Sequence, residues 1–591
     1  MLITKNKVLR FNIFFLKILF LFFCYSYVSA DSNTIQDGGT ETDQQNIDGE
    51  GEFLTVKNSS TLATGATTKA ANVTGDSVTV TVESGSTISA NTVAVFGDTT
   101  SDLTVTNSGT ITASGTTAID AKATTNATIT NNSGGTISSN RNTIRVSKTG
   151  GTNTTGMTIT NSGTITATNG SAIFGTAAGN TVTITNKVGG EITNSDSDNA
   201  TIRVGVNSSV ANSGTIKNDV GNDSIKLYGN NSTITLKDQG IVVGKIAHGA
   251  GITGSTLKIN HGVGQSYYYE TDGDFSLEDL DGNQIVNGSA SSVGQGGSEI
   301  LDELLSTKSL DIRQSLTKYK KAEKDLDDRN GWGEINFSTF KRKQNNQDLT
   351  LGFNLTGVTL NLINPYKGKD FILSLGSGNQ QFNKDHDIKR YSLHSGLYFK
   401  DQTILTKFLD ENFILAGINI HDSEREILTN TRASGKLSIE DIYESYDLIA
   451  GSKMNNESLI PNFGTTIGLS YTPSHSESHL YRWSGKGVGN LSVYVDDEYE
   501  MNLGKDYNLN LGWILDVRNT FFGKDQDYSI NGTKATYSQK NDQTREVTLA
   551  TNLGFEKNIS NDHFLKFSLD SRISTQELIS FSGNLAYKFA F

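Results

Sequence analysis

The stretch that decides the fold is Phe581–Phe591, read FSGNLAYKFAF. Phe581, Gly583, Leu585, Tyr587, Phe589 and Phe591 share one parity, and Ser582, Asn584, Ala586, Lys588 and Ala590 share the other. Successive side chains of a strand point to opposite faces. The segment therefore separates a large apolar surface from a small or polar one. It predicts a strand set between two media, and such a strand needs partners.

Upstream, the same alternation returns. Leu509, Leu511, Trp513, Leu515 and Val517 alternate with Asn508, Asn510, Gly512, Ile514 and Asp516, and only Ile514 breaks the pattern. Val547, Leu549, Thr551, Leu553 and Phe555 alternate with Glu546, Thr548, Ala550, Asn552, Gly554 and Glu556. Leu565, Phe567 and Leu569 alternate with Lys566, Ser568 and Asp570. Lipid offers no partner to a bare backbone, so strands of this kind cross a bilayer by closing into a barrel, apolar set outward. Residues 329–591 hold roughly eleven to thirteen such segments at ~10 residues per crossing. By strand parity Glu334, Asp516, Arg518, Glu546, Lys566, Asp570 and Arg572 face the lumen. The last strand is expected to pair with the segment near Trp332–Phe340 and close the barrel.

The first half repeats instead. Asn107-Ser108-Gly109-Thr110-Ile111, Asn132-Ser133-Gly134-Gly135-Thr136-Ile137, Asn161-Ser162-Gly163-Thr164-Ile165 and Asn212-Ser213-Gly214-Thr215-Ile216 are copies of one motif. Looser copies end at Ile88, Ile192 and Ile241, and the period is about 25 residues. Each period holds three β-prone runs, such as Ala94-Val95-Phe96, Leu103-Thr104-Val105-Thr106 and Thr110-Ile111-Thr112. Three short strands per period describe one coil of a parallel β-helix, which buries its apolar face only by stacking on its neighbours. Asn recurring at the turns can hydrogen-bond to its copies above and below. Seven or eight coils at ~4.8 Å make a rod of about 35 Å. The alternative is a disordered Ser/Thr stalk, but the Ile, Val and Phe recur in register, as a core requires.

The expected organisation is all-β. Residues 1–30 read as a signal peptide: Lys5, Lys7 and Arg10 precede the apolar run Ile18–Phe23, and Val28-Ser29-Ala30 predicts cleavage after Ala30. Residues 31–52 read as a flexible acidic N-terminus, 53–256 as β-helix repeats and 257–297 as a capping and transition region. Within the last, Asp279-Leu280-Asp281-Gly282-Asn283 reads as a turn, because its Gly is out of place for a calcium loop. Residues 298–328 read as a helix with Ser298 as N-cap. Glu299, Asp302 and Glu303 lie early and Lys318, Lys320 and Lys321 late, as the helix dipole prefers. Leu301, Leu304, Leu305, Ile312 and Leu316 form a broken apolar stripe. The net charge of −13 argues against a nucleic-acid partner. Cys24, in the leader, is the sole cysteine, so the mature chain is expected to hold no disulfide and no thiolate metal site; no cofactor is expected.

This order of parts resembles the classical monomeric autotransporters, the type V secretion proteins. Trp332-Gly333-Glu334 looks like the first strand of their β-domain, and Leu585, Tyr587, Phe589 and Phe591 look like its C-terminal assembly signal. The resemblance implies an outer-membrane barrel of about twelve strands with the helix inside it and the passenger at the cell surface. It implies barrel-assembly machinery and periplasmic chaperones as partners. It makes the seven lumen-facing residues candidate partners of the helix. Some members cut the linker at an Asn-Asn pair. Here Asn345-Asn346 falls in the first barrel loop instead, so the passenger is expected to stay attached.

Catalysis is not expected. Residues 31–247 contain no histidine, so a Ser-His-Asp triad lacks its base there. His248 and His261 lie past the clear repeats, and Gly75-Asp76-Ser77-Val78 lacks the context of a nucleophile. Arg145 and Arg203, each in Thr-Ile-Arg-Val, with Glu191, Asp196 and Asp198 are the residues a glycan-active enzyme would use. Repeats produce such echoes without selection for chemistry. The expectation is a displayed adhesin or structural rod with a host-surface, matrix or glycan ligand. A glycan-active enzyme is the alternative, and a channel with an N-terminal ornament is a third reading.

Overall fold

The computed structural model describes residues 32–590 apart from 36–37, 66–67, 99–100, 123–124, 148–155, 176–179, 221, 287–289, 294–300, 324–329, 344–351, 367–368, 383–385, 401–409, 455–460, 524, 531–535, 540–543 and 561–562. The chain divides into two compact units. One holds residues up to 260 with 270–278 and 430–435; the other holds 261–269, 279–429 and 436–591.

The first unit is a parallel β-helix of three sheets. One sheet stacks eleven strands, from Ser32–Ile35 to Ser276–Asp279. A second stacks nine, from Thr40–Glu41 to Ile241–Val243, and a third stacks ten, from Gln45–Ile47 to Thr271–Asp272. Alternation places one set of side chains inward, where Val105, Ile129, Ile159 and Ile184 form one column and Ile111, Ile137, Ile165 and Ile192 another, all fully buried. Burying each such side chain is worth ~1.5–3 kcal/mol. Thr104, Thr128, Thr158 and Thr183 stack on the outer face.

The corner between the first and second sheets carries a buried asparagine ladder. Each Nδ2 donates to the next Oδ1: Asn107 to Asn131 at 2.8 Å, Asn131 to Asn161 at 2.8 Å, Asn161 to Asn186 at 2.9 Å and Asn186 to Asn212 at 2.8 Å. In the second of these coils it is Asn131, one residue before the motif's Asn132, that enters the ladder. The glycine of the motif is a steric requirement, because a Cβ on Gly163 would lie 2.2 Å from the Gly135 carbonyl oxygen of the preceding coil.

Four expectations are corrected. Residues 31–52 are not a flexible terminus in their described part. They form the first coil, with Ser32–Ile35 paired to Phe53–Val56 and Ile47 fully buried. A coil needs few inward apolar residues, so a polar composition does not preclude one. The helix is accordingly longer than expected, about 50 Å for eleven strands at ~4.8 Å spacing. The loosest motif copy is also offset by one: Val242 stacks beneath Ile216 in the core, whereas Ile241 stacks beside Thr215. The region 257–297 is not one cap, since Thr256–Asn260 continues the eleven-stranded sheet while Tyr267–Tyr269 and Ala290–Ser292 join the barrel sheet.

The second unit is a closed antiparallel barrel of twelve strands: Asn330–Arg342, Phe353–Tyr366, Lys369–Phe382, His386–Lys400, Glu411–Thr429, Lys436–Met454, Asn462–Thr472, Lys486–Gly504, Tyr507–Phe522, Arg545–Ser560, His563–Ser574 and Leu578–Ala590. The first and last strands pair from Asn330–Ala590 to Arg342–Leu578, which removes the open edge. Phe337, Leu511, Trp513, Leu553, Phe567, Phe581, Leu585 and Tyr587 are exposed, while Asn336, Asp516, Lys566, Asp570 and Asn584 are buried. This inversion of a soluble protein's pattern marks a wall that faces lipid. Among the described residues no helix is long and apolar enough to cross a membrane.

Strand directions place Tyr366, Lys369, the turn 505–506, Ser560 and His563 at the end where Asn330 pairs with Ala590. At the other end His475–Glu477, Tyr481–Trp483, Gln526–Ile530 and Thr536–Gln539 build a small sheet. Short turns face the periplasm and long loops the exterior in barrels of this kind. Phe589 pairs through its backbone with Gly331. Phe591, Ala30, Ser298 and Asn345-Asn346 lie outside the described residues.

Candidate functional site: the barrel lumen

The lumen is occupied by the helix Leu301–Glu323. Its apolar stripe is seated on apolar patches of the wall. Near the outer end Leu301 and Leu304 pack with Phe340, Phe353, Phe382, Ile388, Val488 and Leu578. Near the inner end Leu305, Ile312, Leu316 and Tyr319 share a core that includes Trp332, Ile363, Tyr398 and Phe564. Leu310 meets Tyr494, Ile514 and Ala550 between them. Ile514 is the residue that breaks the alternation of its strand, and its inward side chain is part of the helix seat. At Gly468 the helix runs near the wall, and a Cβ there would lie 2.9 Å from Leu305 Cγ.

Charges fix the rotation of the helix. Lys318 Nζ lies 2.9 Å from Glu334 Oε1 and 3.3 Å from Asp570 Oδ2. Arg313 lies 2.5 Å from Asp516 Oδ2 and 4.2 Å from the Tyr494 ring centroid. Arg572 pairs with Asp311 and donates to the side-chain oxygen Oε1 of Gln314 at 3.1 Å. Arg342 pairs with Glu303 at the outer end. Lys308 donates to Ser374 at 2.6 Å, and Ser374 donates to Asn361 at 2.5 Å. A desolvated charge that loses its partner costs ~3–5 kcal/mol, so these pairs select one helix position.

Of the seven residues assigned to the lumen by parity, Glu334, Asp516, Asp570 and Arg572 meet the helix. Arg518 and Glu546 pair with each other across neighbouring strands at 2.7 Å, and Lys566 lies 3.8 Å from Glu498. These three bond within the wall. The sequence reading missed Arg342, which its parity with Glu334 could have supplied. It also missed Glu303, Asp311 and Arg313, whose facing depends on a rotation that no local pattern specifies. Beside the helix the lumen leaves cavities of about 60 and 70 Å³, space for a few waters each.

Arg145 and Arg203 share one column of the third sheet with Phe174 between them, whereas Glu191 lies on another sheet. Arg145 pairs with Asp120, which raises the guanidinium pKa, chiefly through that hydrogen bond. Glu191 lies on the second sheet and Arg203 on the third. Asn199 donates to Asp196 at 2.7 Å and accepts from Arg203 at 2.5 Å. The Arg203 guanidinium sits 5.2 and 4.7 Å from the Phe174 and Tyr228 ring centroids. His248 bonds the Gly249 carbonyl, and His261 bonds the Tyr269 hydroxyl. Asp279 Oδ1 accepts the N–H groups of Asp281 and Asn283, which makes Asp279–Asn283 a side-chain-capped turn.

No family model and no curated protein matches the sequence. Among solved structures the chain is similar to the translocator domain of autotransporter NalP from Neisseria meningitidis, at 12% identity and a TM-score of 0.35, over 50% of this chain and 100% of that one. It is similar to the β-domain of the Bordetella autotransporter BrkA at 9% identity and a TM-score of 0.31, over 45% of this chain and 100% of that one. It is also similar to an outer membrane channel from Pseudomonas putida at 12% identity and a TM-score of 0.28, over 45% and 97%. The chain is a parallel β-helix joined by a helix to a closed twelve-stranded barrel, similar in that half to autotransporter translocator domains, with the joining helix salt-bridged inside the lumen.

Proposed function

We propose that the barrel sits in the outer membrane and places its own N-terminal β-helix on the cell surface. The helix that joins the two would be the last part of the exported segment, arrested in the pore through which it passed. The observation that carries this reading is the occupied lumen: the linker itself, held by Lys318, Arg313 and Asp311, fills the conduit. The displayed half would be a non-catalytic adhesin or structural rod, supported by the outward Thr ladders, by the pairing of Arg145 with Asp120 and by the placement of Glu191 on a different sheet from both arginines. Assembly would draw on periplasmic chaperones and the barrel-assembly machinery. Protease added to intact cells is expected to remove the β-helix as a discrete fragment while the barrel remains; a β-helix fully protected on intact cells overturns the proposal.

The link Asp196–Asn199–Arg203 favours a second reading, a surface glycan-active enzyme on the same barrel. Under it, replacing Arg203 or Asp196 abolishes turnover of a polysaccharide. Arg145 held by Asp120, and Glu191 on another sheet, argue for the rod.

A further inference from the structure

The barrel strand Glu411–Thr429 outruns one neighbour. Its pairing with His386–Lys400 ends at Arg425, whereas its pairing with Lys436–Met454 continues to Leu428. Among the described residues, one edge of 426–429 therefore has no barrel strand beside it, and a bare edge is a template for another strand. The chain fills this edge with the segment that precedes the pore helix. Tyr267–Tyr269 runs parallel to it, with Tyr267 beside Leu428 and Tyr268 beside Thr429, and the Leu428 N–H donates to the Ser266 carbonyl at 3.1 Å. Ala290–Ser292 adds a further antiparallel strand.

Side chains lock the added strands from the loop side. The buried Arg425 guanidinium donates to Ser266 Oγ at 3.3 Å and pairs with Glu477 at 3.2 Å. The Tyr481 hydroxyl reaches the Tyr267 and Ser292 carbonyls at 3.4 Å each. The Tyr267 hydroxyl donates to Asp279 at 2.9 Å. Burial pushes both phenols above their ordinary range, which keeps them protonated donors. Val286 and Val293 pack with Ile427, Ile439, Tyr481, Trp483, Tyr528 and Ile530 in a core built outside the lumen by the loop sheet. Backbone pairing, a buried ion pair and an apolar core thus converge on one short segment.

We propose that the outer edge of Glu411–Thr429 is a docking site for the chain's own exit segment. Tyr267–Tyr269 and Ala290–Ser292 clip onto it by strand addition and anchor the segment that precedes the pore helix to the barrel. This rests on the export reading above. The occupant is intramolecular because the segment lies next to the pore helix in sequence, which gives it an effective concentration of about millimolar order over any other strand.

Cysteine pairing tests it, because Cys24 is the one cysteine and lies in the leader. Neighbouring strands lie ~4.8 Å apart, a separation a disulfide spans. In cells displaying the full chain, Tyr268→Cys with Thr429→Cys is expected to oxidise in most molecules. Tyr268→Cys with Thr575→Cys, in the outer turn across the barrel, is expected to stay reduced. Tyr268→Pro is expected to speed protease cleavage within 261–297 at least tenfold, with barrel folding unchanged by heat-shifted gel mobility. Absence of the first disulfide in a folded barrel, or an unchanged cleavage rate, overturns the docking site. A β-helix missing from the surface overturns the export reading instead, and the disulfide is then read on the purified full chain, where its absence still overturns docking.

Discussion

Lys318 Nζ on the pore helix lies 2.9 Å from Glu334 Oε1 on the first barrel strand, and both side chains are buried. The same ammonium reaches Asp570 near the end of the chain. One cation therefore ties the linker to both strands that flank the closing strand.

Lys318→Ala leaves two carboxylates without their cation, at a cost of ~3–5 kcal/mol. The helix is expected to leave its seat, and the purified full chain in planar bilayers to show openings absent from the parent. Lys318→Ala with Glu334→Gln and Asp570→Asn removes the uncompensated charge and is expected to recover most of the closure. Equal conductance of all three forms would refute the ion pair as the lock.

Gly468→Leu places a side chain where Leu305 lies. Overpacking of this kind costs ~1–3 kcal/mol, and the midpoint of thermal unfolding of the barrel in detergent is expected to fall. Gly468→Ala is expected to fall between the two. A rise in the midpoint for either would mean that the helix does not approach this wall.

Asn161→Ala breaks the ladder at its centre. It removes the donor to Asn186 and the acceptor for Asn131, which leaves a buried amide short of a partner at ~1–3 kcal/mol. Faster amide hydrogen exchange is expected in the coils on both sides. Asn212→Ala, at the end of the run, is expected to affect fewer coils. A uniform response to both would show that the ladder contributes no local stability.

Leu585→Arg puts a charge on the lipid face of the closing strand, at ~2–4 kcal/mol if it lies near mid-bilayer. Folded barrel in the membrane fraction is expected to drop several-fold. Leu585→Phe, which keeps the face apolar, is expected to assemble. Normal assembly of the arginine form would remove Leu585 from the lipid-facing set.

Much of both halves is legible locally. Strand parity needs only neighbouring residues, so it places Glu334, Asp516 and Lys566 inside and Leu511 and Leu585 outside without knowledge of partners. The break at Ile514 was visible but had no local meaning; it acquires one only when Leu310 is beside it. Residues 31–52 misled because composition averages inward and outward positions, whereas a coil depends on the few inward ones such as Ile47.

The sequence by itself determined the periods: two residues within each strand, about 25 within the β-helix, and the amphipathic strands that require closure. These are short-range patterns, and burial acts on them through alternation alone. Only the tertiary structure decided which face of the helix meets which wall, that Val242 rather than Ile241 continues the core, and that Tyr267–Tyr269 belongs to the barrel sheet. Each depends on contacts between segments remote in sequence, such as Lys318 with Asp570 or Ser266 with Arg425, and no periodicity encodes the pairing of residues that meet only when the chain has closed on itself.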